Sequence, residues 1–138
     1  MDWTVFWSAA SAVFTGLTAL IAVLAIFRWR KQDELKAKLN FKMAVANYSF
    51  QLTQMPEKLD QPNIRHTQVD NCQQLTRLLS ACNNAWMICE GLLDKNDNVR
   101  DSWVYIFDNN KNYFKGELTK HALGESCMVI LNEKFVFN

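Results

Sequence analysis

From Trp3 to Phe27 no position is charged, WTVFWSAASAVFTGLTALIAVLAIF; from Arg28 the pattern turns amphipathic and charged, RWRKQDELKAKLNFKMAVANYSFQLTQM. Gly16 is the one glycine in the first 55 residues, and no proline occurs there. At about 1.5 Å per residue the uncharged run extends roughly 37 Å as a helix, against a hydrocarbon thickness of about 30 Å. The pattern predicts a transmembrane helix over residues 1–29, continuing as a juxtamembrane basic amphipathic helix over 30–55. In that second part Leu35, Leu39, Met43, Ala46 and Phe50 follow one another at helical spacing, and they read as the face packed against the rest of the domain. Pro56 closes the helix near Thr53, because the residue before a proline avoids the helical region.

Residues 56–138 read as a small helical domain, so the expected fold class is all-α: a membrane helix running into a long helix packed in a bundle. Cys72, Leu75, Leu79, Cys82, Trp86, Cys89 and Leu93 alternate steps of three and four, and Leu78, Ala85 and Leu92 widen the stripe. This predicts a buried helix from about Thr67 to Asp94, with a turn at 95–98. Val99, Trp103, Ile106, Phe107, Tyr113 and Phe114 predict a third helix from about Asn98 to Lys115, favoured by Asp101 near its start. Beyond Gly116 the pattern weakens. Glu117 to Leu123 reads as a short helix stopped by Gly124, and Cys127–Leu131 and Phe135–Phe137 as either helix or strand.

Charge fixes the expected orientation. The formal net charge of +1 conceals a basic stretch after the apolar run and a mildly acidic remainder. Arg28, Arg30, Lys31, Lys36 and Lys38 are candidate ligands for anionic lipid headgroups. No lysine or arginine precedes the span and several follow it, so the N-terminus is expected outside and the domain in the cytoplasm of a cell with a single-pass inner-membrane anchor. The segment departs from a cleaved signal peptide. Its start is Met1-Asp2, its apolar run is too long, and it ends in Ile26-Phe27-Arg28-Trp29 without a small-residue cleavage site. The acidic balance of the domain makes nucleic acid a poor partner; membrane lipids and a cytoplasmic protein fit better.

Within the span, Thr4, Ser8, Ser11, Thr15, Thr18, Ala22 and Ala25 fall on one seam, with Ala12, Gly16 and Ala19 in a row beside it. Small residues let helices approach closely, and hydroxyls bond between helices at about 0.6 kcal/mol each. The seam therefore suits closure of a homo-oligomer, or in a larger ring the lining of a weakly polar pore. It also suits a plain anchor whose hydroxyls bond back to their own helix. The span contains no charged side chain for a proton relay.

Catalytic chemistry finds little support. There is no Gly-rich phosphate loop, no His-Glu-x-x-His and no Cys-x-x-Cys, and neither His66 nor His121 lies near a cysteine. No catalytic residue, metal ligand or cofactor is assigned. Cys72, Cys82, Cys89 and Cys127 read as core thiols. Arg65 and His66, with Asp70 and Asn71 a turn later, are read as a solvated helix start rather than a polar site.

The layout of WTVFWSAASAVFTGLTALIAVLAIFRWRKQDELKAK followed by a helical domain resembles small single-pass membrane proteins of bacterial antiphage defence and prophage regions. It is similar in particular to the small membrane accessory protein of RNA-targeting CRISPR systems. The resemblance implies assembly through helices and permeabilisation or depolarisation of the inner membrane on a trigger. The HEPN-type pair, an arginine shortly followed by a histidine on a helix, is missing here: Arg65 and His66 are adjacent, and no histidine closely follows Arg77 or Arg100.

Overall fold

A computed structural model describes residues 2–136 and is all-α, with no strand among them. The helices are α1 (Trp3–Thr53), α2 (Pro62–Thr67), α3 (Val69–Ile88), α4 (Asp97–Phe114) and α5 (Lys120–Asn132). The chain divides into two compact units, Met1–Glu34 and Leu35–Asn138. In the first, a proline-free run without charge lets α1 propagate from Trp3, and none of its membrane-length apolar window is buried. The second is a helical bundle with one core.

That core corrects the expected face of α1. The row Leu39, Met43 and Phe50 is exposed, while Leu35 and Ala46 are half-buried. Buried instead are Phe41, Val45, Tyr48 and Leu52. The two rows interleave: Phe41, Val45, Tyr48 and Leu52 each lie two residues beyond a member of the exposed row, about 200° around the helix. Partners decide between them. Phe41 meets Trp86 edge-on at 5.2 Å and Trp103 at 5.5 Å and 88°, so one ring joins α1, α3 and α4. The Tyr48 hydroxyl donates to Asn110 Oδ1 at 2.6 Å, which satisfies the buried amide oxygen of α4.

Helix α3 starts close to the expected place but ends at Ile88, short of Asp94. Glu90 (φ 47°) and Gly91 (φ 80°) both adopt left-handed backbone, which stops the helix. Cys89 and Leu93 are buried all the same, so the heptad marks core positions that a turn delivers rather than a helix. Asn96 caps α4, its side chain accepting from Val99 N–H at 3.2 Å, and this moves the start to Asp97.

The short α2, opened by Pro62, occupies the end of the stretch Pro56 to Asn63, which reads in sequence as a connecting loop, and precedes α3. After Gly116 the chain forms α5, which begins at Lys120 and runs through Gly124, correcting the expected stop there. A Cβ at Gly124 would meet nothing, so that glycine interrupts no packing. Cys127 to Leu131 is therefore helical. Of the Phe135–Phe137 run, Phe137 lies outside the described residues; Phe135 packs against the core.

Two lysines lock α5 to α1. Lys120 Nζ donates to the Met55 carbonyl at 2.8 Å and the Thr53 carbonyl at 3.4 Å, taking up acceptors at the end of α1. Lys42 Nζ donates to the Glu133 carbonyl at 2.7 Å and lies 5.6 Å from the centre of the Phe135 ring. Gly116 (φ 78°) admits the close approach of the Leu59–Asp60 backbone, since a Cβ there would lie 2.6 Å from Asp60 Cα.

Candidate functional site

The first half of α1 is the segment whose chemistry the rest of the chain does not explain. One window of this helix is long and apolar enough to cross a membrane, and none of it is buried within the protein. Trp3, Phe6, Phe14, Ile21, Leu24 and Phe27 are all 59–72 % exposed. The Trp3–Phe6–Trp7 cluster stacks edge-on at 6.5 and 5.9 Å at one end, and Phe27 and Trp29 mark the other. Aromatic rings at both ends of an apolar helix suit the two interfaces of a bilayer.

The hydroxyl seam lies on this helix. Thr4, Ser8, Ser11, Thr15, Thr18 and Ala22 are exposed, as are Ala12, Gly16 and Ala19, and Ala25 is half-buried. Thr15 Oγ1 donates to the Ser11 carbonyl and Thr18 Oγ1 to the Phe14 carbonyl, each at 2.8 Å. Both hydroxyls thus have their proton satisfied by their own helix and keep oxygen lone pairs outward as acceptors. A Cβ at Gly16 would meet nothing, so the groove beside the seam is open to a neighbouring helix.

Of the candidate headgroup ligands, Arg28, Arg30, Lys31 and Lys36 are exposed. A shallow depression lined by Ile21, Leu24, Phe27, Arg28, Trp29 and Lys31 puts apolar rings and cations side by side. Lys38 differs: it is half-buried, near the Cys89 thiol, which burial raises and the lysine's charge partly offsets.

A groove on the bundle is lined by Leu59, Val69, Cys72 and Phe114 together with Arg65 and Arg77. Burial raises the Cys72 thiol above its ordinary value, so it is held as the thiol rather than a nucleophilic thiolate. Cys82 and Cys127 are pushed up further, to about 12, again by burial first. Arg65 and His66 are both exposed on α2, while Asn71 Nδ2 donates to Gln68 Oε1 at 2.7 Å. His121 pairs with Glu125 at 3.1 Å on the surface of α5. Among the described residues no three side chains gather as a metal site.

Sequence reasoning missed the outward row of α1 beyond Leu35 as a surface, because its spacing is that of any buried stripe. No protein-family model, curated protein or solved structure matches the chain.

Proposed function

We propose that this chain is an oligomeric single-pass protein of the bacterial inner membrane, N-terminus out and helical domain in the cytoplasm, that disturbs the membrane by pore formation or depolarisation. The observation that carries the reading is the apolar half of α1, none of whose membrane-length window its own fold buries. Left in water, that surface far exceeds the few hundred Å² of contiguous apolar patch a soluble monomer usually exposes. A bilayer covers it, and the cations after Phe27 meet the headgroups of the inner leaflet. The hydroxyl seam and the open groove at Gly16 give copies of the span a face on which to pack. The resemblance to antiphage defence effectors supplies the biological setting, a membrane-directed response in which the bundle receives the trigger. This role is non-enzymatic.

A membrane-potential dye in cells expressing the full chain tests the pore. Replacing Thr4, Ser8, Ser11, Thr15 and Thr18 together with leucine is expected to abolish depolarisation while membrane insertion persists. Depolarisation that survives the replacement overturns the pore.

The back-bonded hydroxyls of Thr15 and Thr18 favour a second reading, a plain anchor for an adaptor domain that binds a cytoplasmic protein. Under it, an unrelated span replaces residues 3–27 without loss of function.

A further inference from the structure

The bundle carries two exposed surfaces of opposite charge. The first is the groove in which Val69, Cys72 and Phe114 share the lining with Arg65 of α2 and Arg77 of α3. Both arginines are exposed, and neither meets a carboxylate among the described residues. Val69, Cys72, Thr76 and Arg77 share one face of α3 and extend along it for about 12 Å, at about 1.5 Å per residue. Val69 on that face is 45 % exposed, so the apolar floor lies open.

The acidic surface is on α4. Within Leu35–Asn132 it is the one helix with more than one acid, namely Asp97, Asp101 and Asp108. Its buried side carries Val99, Trp103, Ile106, Asn110 and Tyr113. Asp101, Val104, Tyr105 and Asp108 share the opposite side, and all four are exposed. Two carboxylates one pair of helical turns apart, about 10 Å, thus bracket two apolar side chains. Asp108 meets no cation among the described residues. Asp101 holds Arg100 at 2.9 Å on Oδ1, and an ionised carboxylate has lone pairs left for a further donor.

We propose that this face of α4 from a second copy of the chain docks into the groove. Asp101 and Asp108 meet the two guanidiniums, while Val104 and Tyr105 cover the apolar floor between them. The lengths of the two surfaces match, and the planar guanidinium forks suit carboxylates at an interface. No other helix of the bundle fits as well. Leu35–Thr53 of α1 contains no acid, and α5 contains only Glu125, which already holds His121. Groove and α4 face are different patches, so each copy receives one neighbour and engages another. Such a head-to-tail contact joins more than two copies. It supplies an interface for the oligomer proposed above and rests on that reading, although it draws nothing from the span.

Oxidative cross-linking of full chains co-expressed in membranes tests it, with Cys72→Ala in every chain to remove the native thiol of the groove. A tagged chain carries Thr76→Cys and an untagged chain Val104→Cys. Disulfide between the two is expected, with none when His121→Cys on the surface of α5 replaces Thr76→Cys. Adding Arg65→Asp and Arg77→Asp to the tagged chain is expected to lower the yield by up to about fivefold for each pair lost. Asp101→Arg and Asp108→Arg in the untagged chain are expected to restore it, and no restoration overturns the docking. A Thr76→Cys homodimer overturns the head-to-tail arrangement. Thr76→Cys that is shielded from a maleimide yet forms no disulfide shows another occupant in the groove and also overturns it. Cross-linking through Thr18→Cys without any between Thr76→Cys and Val104→Cys overturns the docking and leaves the oligomeric span standing. The reverse result supports the docking and removes the span seam as a contact.

Discussion

Phe14 and Phe41 lie in the same α-helix, yet Phe14 is 69 % exposed and Phe41 is fully buried. Local structure does not distinguish them, since both sit in proline-free stretches of one helix. Their surroundings do. Around Phe14, among the described residues, stand a row of hydroxyls and small residues and no core. Around Phe41 the chain supplies Trp86 and Trp103, with Tyr48 and Asn110 completing a polar link deeper in the core. One half of the helix leaves its apolar side chains uncovered by the protein, and the other buries a row of them in a core.

The largest test of this contrast is a pair of truncations. Phe41→Ala is expected to destabilise the bundle by about 3–5 kcal/mol, because it opens a cavity where three helices meet. Phe14→Ala is expected to leave the bundle's thermal transition in detergent unchanged. A comparable drop from both variants breaks the division. Gly116→Ala comes next, with an expected loss of at least about 2 kcal/mol, since alanine must hold a positive φ and its Cβ would press on the backbone of Leu59 and Asp60. Denaturant melting of the full chain in detergent reads it.

The smallest effect is a pH dependence confined to the bundle. Cys82 and Cys127 have folded values raised to about 12 from an ordinary 9.0 by burial. Below pH 9 both folded and unfolded chains keep these protons, and the stabilisation is complete. Between pH 9 and about 12 the unfolded chain releases them and the folded chain does not, so stability falls as pH rises. Tyr48 and Tyr113, also raised by burial, act in the same direction. Circular dichroism is expected to show the bundle loosening above pH 9 while the apolar half of α1, which has nothing to titrate from Trp3 to Phe27, keeps its helicity. Cys127→Ala is expected to flatten the slope.

Much of the fold was legible in residue order because helices declare themselves locally. Pro56 marked an end, and Trp103, Ile106 and Tyr113 marked the inward face of α4. The cysteines read as core thiols are held as thiols by burial. The errors fell where two local signals competed. Two apolar rows on α1 have the same period, and choosing between them takes the positions of Trp86, Trp103 and Asn110, which are distant in sequence. The unbroken heptad hid the left-handed turn at Glu90 and Gly91, although Gly91 itself was the signal for it. Gly124 read as a stop because glycine weakens helices, and it was overridden by Leu123, Cys127 and Ile130 packing on both sides of it.

The candidate site was legible to the extent that it is linear. A membrane-length helix, its hydroxyl seam and the cations that follow it are properties of consecutive residues, so the sequence alone determined them. Which face of α1 the bundle consumes, and therefore which face remains for another molecule, is a property of packing. It was decided only when Phe41 met two tryptophans and Tyr48 met a buried amide, because burial is a competition among all the apolar surfaces of a chain and the order of residues names the competitors without naming the winner.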